Sequence, residues 1–193
     1  MKLYLIRHGE SENNSKKCWT GWMDVDLTEK GIKEAKNVSK YIKDVKFDKI
    51  YSSDLKRACQ TCENAIPGCE YEKLEVLREI NVGELQGRTF DYCNSTYGDA
   101  LEIHKKTGNY SSYGGESTEE FANRLKTFAD MVLKSGCENV VAFSHGGFVR
   151  RFSDHVVGLN LPGGLITCRN CTIAVYEHNG KHWRLHSWIN TTE

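Results

Sequence analysis

Apolar residues occur along the chain in two patterns. A continuous apolar run at 3–6 is typical of a strand buried on both faces, and further short strands are predicted at about 48–52, 74–80 and 139–143. Apolar residues three and four positions apart predict helices that start near 28, 54, 117 and 146. Two later strands, at about 172–177 and 183–189, flank an Asn-Gly pair that favours a hairpin turn. The chain therefore alternates strands with helices.

This alternation predicts an α/β fold, a three-layer α/β/α sandwich with a mostly parallel central sheet. The length of 193 residues suits one domain, 1–193. Gly, Asn, Ser and Tyr are frequent at about 84–116, where only a weak helical signal appears, near 96–106. We expect this segment to be a lid-like insertion over the sheet. In such sheets, ligands bind beyond the carboxyl ends of the strands.

Local signals predict several helix boundaries. Asp54 is the expected N-cap of the second helix, which Pro67 and Gly68 end. Ser117 and Glu120 have the spacing of a capping box.

Charge and hydropathy exclude several classes of function. Lys and Arg total 26, as do Asp and Glu, so the formal net charge is zero and nothing predicts binding to nucleic acid or to an anionic membrane. No run approaches the roughly 18 apolar residues of a membrane helix. The first residues enter a strand-like run without the features of a signal peptide, and we expect a cytoplasmic protein.

Eight cysteines include two CxxC pairs, Cys59 with Cys62 and Cys168 with Cys171. Structural zinc sites bring such pairs closer together in sequence than these two pairs lie. We therefore expect no metal site and interpret most of the cysteines as small buried apolar residues.

Polar residues cluster where three of the predicted strands end. Arg7 and His8 follow the first strand, Arg57 lies in the first helical turn after the second, and His145 and Gly146 follow the fourth. The fold would gather these residues at one edge of the sheet. Guanidinium groups match phosphate oxygens with paired hydrogen bonds, and helix N-termini present free N–H groups to anions. A neutral imidazole is also a nucleophile. The set predicts a site that holds and transfers a phosphoryl group.

These residues lie in ordered blocks that resemble the histidine phosphatase superfamily, which includes phosphoglycerate mutases and phosphatases similar to alpha-ribazole phosphatase. The blocks cover nearly the whole chain, at 7–11 (Arg-His-Gly-Glu-Ser), 14, 21–31, 52–61, 77–87, 114–117 and 144–147. A lone Arg-His-Gly triplet would be a weak signal, whereas the ordered set is specific. The resemblance implies a phosphoglycerate mutase-like sandwich.

The resemblance also implies roles for individual residues. His8 attacks phosphorus and becomes phosphohistidine, while Glu79 protonates the leaving oxygen and then activates water. The phosphoryl oxygens are held by Arg7, Asn14, Arg57, His145 and Gly146. No metal or cofactor is required. Glu84 lies close to Glu79 in sequence and is an alternative or additional acid.

Three functions fit this set. The first is a metal-independent phosphatase of the histidine acid type that hydrolyses a small phosphorylated metabolite, with specificity like alpha-ribazole phosphatase or broader. The second is a cofactor-dependent phosphoglycerate mutase. The mutases of the family carry a longer segment between the positions of Gly87 and Gly114 than this chain does. The third, a silent module that binds phosphorylated ligands, ranks last because the catalytic set is complete. The expected partner is a small phosphate ester, its identity open. A homodimer through the late strands is compatible with the pattern, although no residue specifies it.

Overall fold

The computed structural model describes residues 1–158 and 166–192, and six strands in this part of the chain form one mixed sheet in the order β3-β2-β4-β1-β5-β6. The strands are β1 (Lys2–Arg7), β2 (Lys49–Ser52), β3 (Glu72–Lys73), β4 (Asn139–Ser144), β5 (Ile173–His178) and β6 (Trp183–Ile189). The first four run parallel, and β5 and β6 run antiparallel to their neighbours. The late pair is the hairpin that the Asn-Gly turn predicts.

In residues 1–158 and 166–192, six α-helices connect and cover these strands. They are α1 (Glu12–Ser15), α2 (Glu29–Ile42), α3 (Lys56–Ala65), α4 (Phe90–Thr107), α5 (Thr118–Lys134) and α6 (Gly146–Val157). Helices α5 and α6 pack on one face of the sheet, and α2 and α3 pack on the other. Within β1, Leu3 and Leu5 enter the first core and Ile6 enters the second. Because adjacent side chains point to opposite faces, a continuous apolar strand supplies both cores.

The register of the sheet positions the predicted site. Arg7 of β1 pairs with Ser144 of β4, so the residues that follow them leave the sheet side by side. The backbone N–H of His8 donates to the carbonyl oxygen of Ser144 at 2.9 Å. His145, the next residue, therefore lies next to His8.

The predicted strand at 74–80 is wrong. Only Glu72–Lys73 pairs with β2, and Glu75–Leu77 forms a 3₁₀ turn. Apolar residues in this segment still pack against the core, as the pattern required. The carbonyl oxygens of Val76 and Arg78 accept hydrogen bonds from the side chain of Arg124 rather than from a strand. The Arg124 side chain thus takes the place of the backbone hydrogen bonds that a neighbouring strand would supply.

The predicted N-cap at Asp54 is also wrong, whereas the capping box is confirmed. Helix α3 has Leu55 at its N-cap position, without a side-chain hydrogen bond. The Asp54 carboxylate is turned away by an ion pair with Arg78. In α5, the Ser117 hydroxyl accepts from the N–H of Glu120, whose carboxylate accepts from the N–H of Ser117.

The segment expected to be a lid contains more helix than its composition indicates. Helix α4 is kinked at Gly98, whose φ of 48° and ψ of −128° interrupt it. A third, smaller apolar cluster holds the segment together, formed by Val82, Leu85, Cys93, Leu101, Tyr110 and Tyr113. This cluster fixes α4 beside the carboxyl edge of the sheet.

The cysteines are dispersed through the apolar cores. Cys62 and Cys171 are buried on the α2–α3 face, and Cys168 packs against the opposite core. In residues 1–158 and 166–192, no group of three or more His, Cys, Asp or Glu side chains has an arrangement that could hold a metal ion. Over the same residues, no helix combines the length and apolar character needed to cross a membrane.

Candidate active site

A cleft of about 590 Å³ opens at the carboxyl edge of the parallel strands. Five of the predicted site residues line it, namely Arg7, His8, Asn14, Arg57 and Glu79. Arg7 and His8 come from the end of β1, Asn14 from α1, Arg57 from the first turn of α3 and Glu79 from the loop that follows the 3₁₀ turn. The fold thus brings together side chains that are far apart in sequence.

The His8 imidazole is held in one tautomer. Its Nδ1 lies 2.7 Å from the carbonyl oxygen of Gly9, which can only accept, so Nδ1 carries the proton. Nε2 then keeps its lone pair, toward which Nε–H of Arg57 points at 3.3 Å. Nε2 is the atom that can act as a nucleophile.

The surroundings of His8 also keep it neutral. Burial, followed by the charges of Arg57 and Arg7, lowers the pKa of His8 well below its ordinary value. A protonated imidazole has no lone pair to donate. The lowered pKa therefore maintains the reactive form at neutral pH.

Arg57 is buried and fixed by the loop that follows α1. Besides its contact with His8, its Nη1 and Nη2 donate to the carbonyl oxygens of Met23 and Gly21, each at 2.8 Å. Burial lowers the pKa of Arg57 to about 10, which leaves the guanidinium charged at neutral pH. This placement gives the cleft a positive charge of fixed orientation.

Arg7 contributes a second guanidinium. Its Nη1 donates to the carbonyl oxygen of Cys168, while its Nε is buried and has no hydrogen-bond partner among the described residues. A Cβ at Gly146 would lie 3.1 Å from that Nε, so a glycine lets the start of α6 approach Arg7 closely. Gly146 thus has a packing role here, and the next residue, Gly147, lines the cleft.

His145 lies behind His8. The centroids of the two rings are 5.2 Å apart, and the His145 side chain is fully buried. Its Nε2 lies 2.9 Å from the Ser53 hydroxyl, and its Nδ1 has no partner among the described residues. Burial and the neighbouring charges of Arg57 and His8 lower its pKa well below the ordinary value. It packs against the His8 ring, although it is not among the residues that line the cleft.

Glu79 faces the cleft from the loop after the 3₁₀ turn. Its carboxylate accepts from the N–H of Gly147 at 3.0 Å and from the N–H of Ile80 at 2.9 Å. Its carbonyl oxygen accepts from the indole N–H of Trp22 at 2.7 Å and from Arg124 at 3.0 Å. Both the backbone and the side chain of this residue are therefore fixed.

Two other predicted residues have different surroundings. The Asn14 side chain lines the cleft, and its oxygen accepts from the Asn170 amide at 3.1 Å and from the N–H of Ser11 at 3.2 Å. Glu84 is exposed and lies outside the cleft lining. Its position favours Glu79 as the acid.

Sequence reasoning missed a group of cations on the outer wall of the cleft. Four basic residues line that wall, Lys105, Lys106, Arg150 and Arg151. Lys105 pairs with Glu102 at 2.7 Å and Arg151 with Asp154 at 3.7 Å. The only sequence signals were two adjacent basic pairs in helices, a pattern common on solvated surfaces.

Comparison with known proteins places this geometry in a family. A family model described as the histidine phosphatase superfamily (branch 1) matches residues 3–191. The 2,3-bisphosphoglycerate-dependent phosphoglycerate mutase of Methylorubrum populi is 36% identical over 162 residues, which cover 77% of this chain and 75% of that protein. The predicted resemblance is confirmed.

Two solved structures share the whole architecture. A mycobacterial glucosyl-3-phosphoglycerate phosphatase is 26% identical, with a TM-score of 0.86 over 97% of this chain and 98% of that chain. A phosphoserine phosphatase from Entamoeba histolytica, solved with 3-phosphoglyceric acid, is 28% identical, with a TM-score of 0.83 over 98% and 96%. These likenesses confirm the predicted fold class.

Proposed function

This chain belongs to the histidine phosphatase superfamily, and on that premise we propose that it hydrolyses a small phosphate monoester through a phosphohistidine at His8. The observation that carries the proposal is the state of His8 in the cleft. Its Nε2 is unprotonated, lies beside the Arg57 guanidinium and opens on the same cleft as Glu79. Nucleophile, cation and acid are all present.

In the first step, His8 Nε2 attacks phosphorus while the ester oxygen leaves. Arg57 and Arg7 balance the charge on the phosphoryl oxygens, with Asn14 beside them. His145, in contact with the His8 ring, supports the nucleophile from behind. Protonated Glu79 donates its proton to the leaving oxygen, which releases the alcohol.

In the second step, water replaces the alcohol. Glu79, now a carboxylate, takes a proton from water as the water oxygen attacks the phosphorus of phosphohistidine. Inorganic phosphate leaves, and both His8 and Glu79 return to their starting protonation. General acid–base catalysis of this kind typically contributes about 10²- to 10⁴-fold in rate.

The outer cations favour a substrate with a second anionic group. Lys106 and Arg150 have no carboxylate within ion-pair distance in the described part of the chain. The relatives above are named for phosphoglycerate, glucosyl-3-phosphoglycerate and phosphoserine, compounds in which a carboxylate accompanies the phosphoester. We propose a phosphorylated carboxylic acid as the substrate class.

Phosphoglycerate mutase activity is the second candidate. The 36% identity to a mutase favours it. A mutase must hold phosphohistidine away from water and return the phosphoryl group to a bound product. The segment between Gly87 and Gly114, which is longer in the mutases of the family, consists here of α4 and a short 3₁₀ turn, and we infer from its shortness that hydrolysis is favoured.

One pair of assays separates the candidates. We expect phosphate release from p-nitrophenyl phosphate and from O-phosphoserine to exceed interconversion of 2- and 3-phosphoglycerate, measured with and without 2,3-bisphosphoglycerate as primer. Rapid interconversion with trivial phosphate release would make mutase the function.

A variant pair tests the nucleophile. We expect His8→Ala to lower kcat/KM by on the order of 10⁴-fold or more and to abolish an acid-labile phosphoryl label on the quenched protein. His182→Ala, at an exposed histidine of the late hairpin, is the matched control and should retain both. Full activity in His8→Ala rules out the mechanism.

A further inference from the structure

The proposed mechanism gives no role to the largely buried ion pair of Glu116 and Arg124. Nε and Nη2 of Arg124 donate to Oε1 and Oε2 of Glu116, each at 2.7 Å, and both side chains are largely buried. This two-point contact between guanidinium and carboxylate is the most directional ion pair that proteins make. The pair lies beneath the loop that carries Glu79.

The remaining donors of Arg124 all bind that loop. Nη1 donates to the carbonyl oxygens of Val76 at 2.9 Å and Arg78 at 2.8 Å, and Nη2 donates to that of Glu79 at 3.0 Å. A guanidinium has five N–H groups, and each one here has an acceptor. Three of the five therefore hold the backbone that ends at Glu79.

Glu116 holds the same loop from its other side. Its Oε2 accepts from the N–H of Asn81 at 2.7 Å, and its own N–H donates to the carbonyl oxygen of Asn81 at 2.9 Å. Glu79 thus lies between two backbone segments that are fixed by one ion pair. Among the described residues, no other side chain makes as many hydrogen bonds to the backbone of this loop as Arg124 does.

We propose that Arg124, oriented by Glu116, is a positioning residue that sets the Glu79 carboxyl at the leaving oxygen. The inference rests on the proposed function, because it gives Arg124 an effect only through Glu79 as the acid. A displacement of about 1 Å at a catalytic group commonly costs about 10²-fold in rate. Arg124→Lys keeps the charge and cannot make the five-donor arrangement.

Leaving-group dependence separates positioning from general stability. Phenyl phosphate and p-nitrophenyl phosphate have nearly the same shape, but phenol needs a proton to leave far more than p-nitrophenol does. The ratio of kcat/KM for phenyl phosphate to that for p-nitrophenyl phosphate therefore measures proton donation. Since both values come from one preparation, the ratio does not depend on how much of the protein is folded.

The experiment compares this ratio in the wild type and four variants. We expect Glu79→Gln and Arg124→Lys each to lower the ratio about tenfold or more. Arg78→Lys is the matched control, because it replaces the two-point guanidinium contact with Asp54 on the same loop, and the Arg78 side chain makes no hydrogen bond to Glu79. It should leave the ratio within about twofold. In Glu79→Gln/Arg124→Lys, the ratio should equal that of Glu79→Gln alone, because Arg124 has no acid left to position.

The possible outcomes distinguish the positioning role of Arg124 from the role of Glu79 as the acid. A ratio that falls in Glu79→Gln and stays unchanged in Arg124→Lys overturns the positioning role and leaves Glu79 as the acid. The positioning role is also overturned if the ratio falls equally in Arg78→Lys and Arg124→Lys. It is likewise overturned if the decrease in the double variant is the product of the decreases in the two single variants. If Glu79→Gln itself leaves the ratio unchanged, the acid assignment fails first, and the positioning role fails with it.

Discussion

His8 combines two properties that its neighbours impose on it. The carbonyl oxygen of Gly9 fixes the proton on Nδ1, and burial beside Arg57 and Arg7 lowers the pKa of the ring. An isolated histidine would be partly protonated just below neutral pH. At this residue, the fold selects the tautomer and the charge that nucleophilic attack requires.

The same surroundings predict how stability depends on pH. The pKa values of His8 and His145 are lowered in the folded protein, so below about pH 6.5 the unfolded chain binds protons that the folded chain does not. Their contribution to stability is thus complete above that pH and is lost as the pH falls. We expect the free energy of unfolding to decrease by up to about 1.4 kcal/mol per pH unit for each imidazole, measured by urea denaturation between about pH 7.5 and 5.5.

A substitution isolates the contribution of His8 to this pH dependence. His8→Asn removes one of the two imidazoles, and the slope of stability against pH should then fall to about half, whatever the absolute stability of the variant. A variant slope equal to that of the wild type would mean that His8 takes up its proton equally in both states.

At the scale of elements, the departures from the predicted pattern occur where side chains replace local hydrogen bonds. The apolar side chains of segment 74–80 pack in the core, but the segment does not form a strand. Two of its carbonyl oxygens accept hydrogen bonds from Arg124 instead of from a neighbouring strand. Asp54 pairs with Arg78 instead of capping α3. In both cases the deciding partner lies at least 24 residues away, beyond the reach of a local signal.

The start of α6 gives a prediction about packing between elements. A Cβ at Gly147 would lie 2.3 Å from Oε1 of Glu79, so we expect Gly147→Ala to displace that carboxylate. The loss in kcat/KM should be about 10- to 100-fold, with a decrease in melting temperature measured by thermal unfolding.

A double variant identifies the cause. In a Glu79→Ala background the added methyl meets no carboxylate, and alanine is favoured over glycine in a helix by about 1 kcal/mol. We expect Gly147→Ala to be neutral or stabilising there. An equal loss of stability in both backgrounds would point to a different clash.

At the scale of the whole molecule, the carboxyl edge of the parallel strands brings together positively charged side chains that are far apart in sequence. Arg7 reaches the cleft from the end of β1 and Arg57 from the first turn of α3, while α4 and α6 add further cations. On the proposed function, the protein's own side chains neutralise the phosphoryl group, as metal ions do in metal-dependent phosphotransfer enzymes.

This arrangement predicts insensitivity to chelators. We expect EDTA to leave kcat/KM for p-nitrophenyl phosphate unchanged within about twofold, because Arg7 and Arg57 supply the charge. The assay is repeated after dialysis and after addition of Zn²⁺ or Mg²⁺. Strong inhibition by EDTA that either metal reverses would contradict the prediction.

The sequence alone determined the order of most elements, the edge of the sheet at which the predicted residues gather, and the family. Burial follows the local spacing of apolar residues, and the blocks around His8, Arg57 and His145 are short and contiguous. Only the tertiary structure decided the neutral state of His8 and the buried position of His145 behind it. It also decided the hydrogen bonds by which Glu116 and Arg124 fix the loop that carries Glu79. Desolvation and long-range hydrogen bonds depend on how distant segments pack together, which no local pattern specifies.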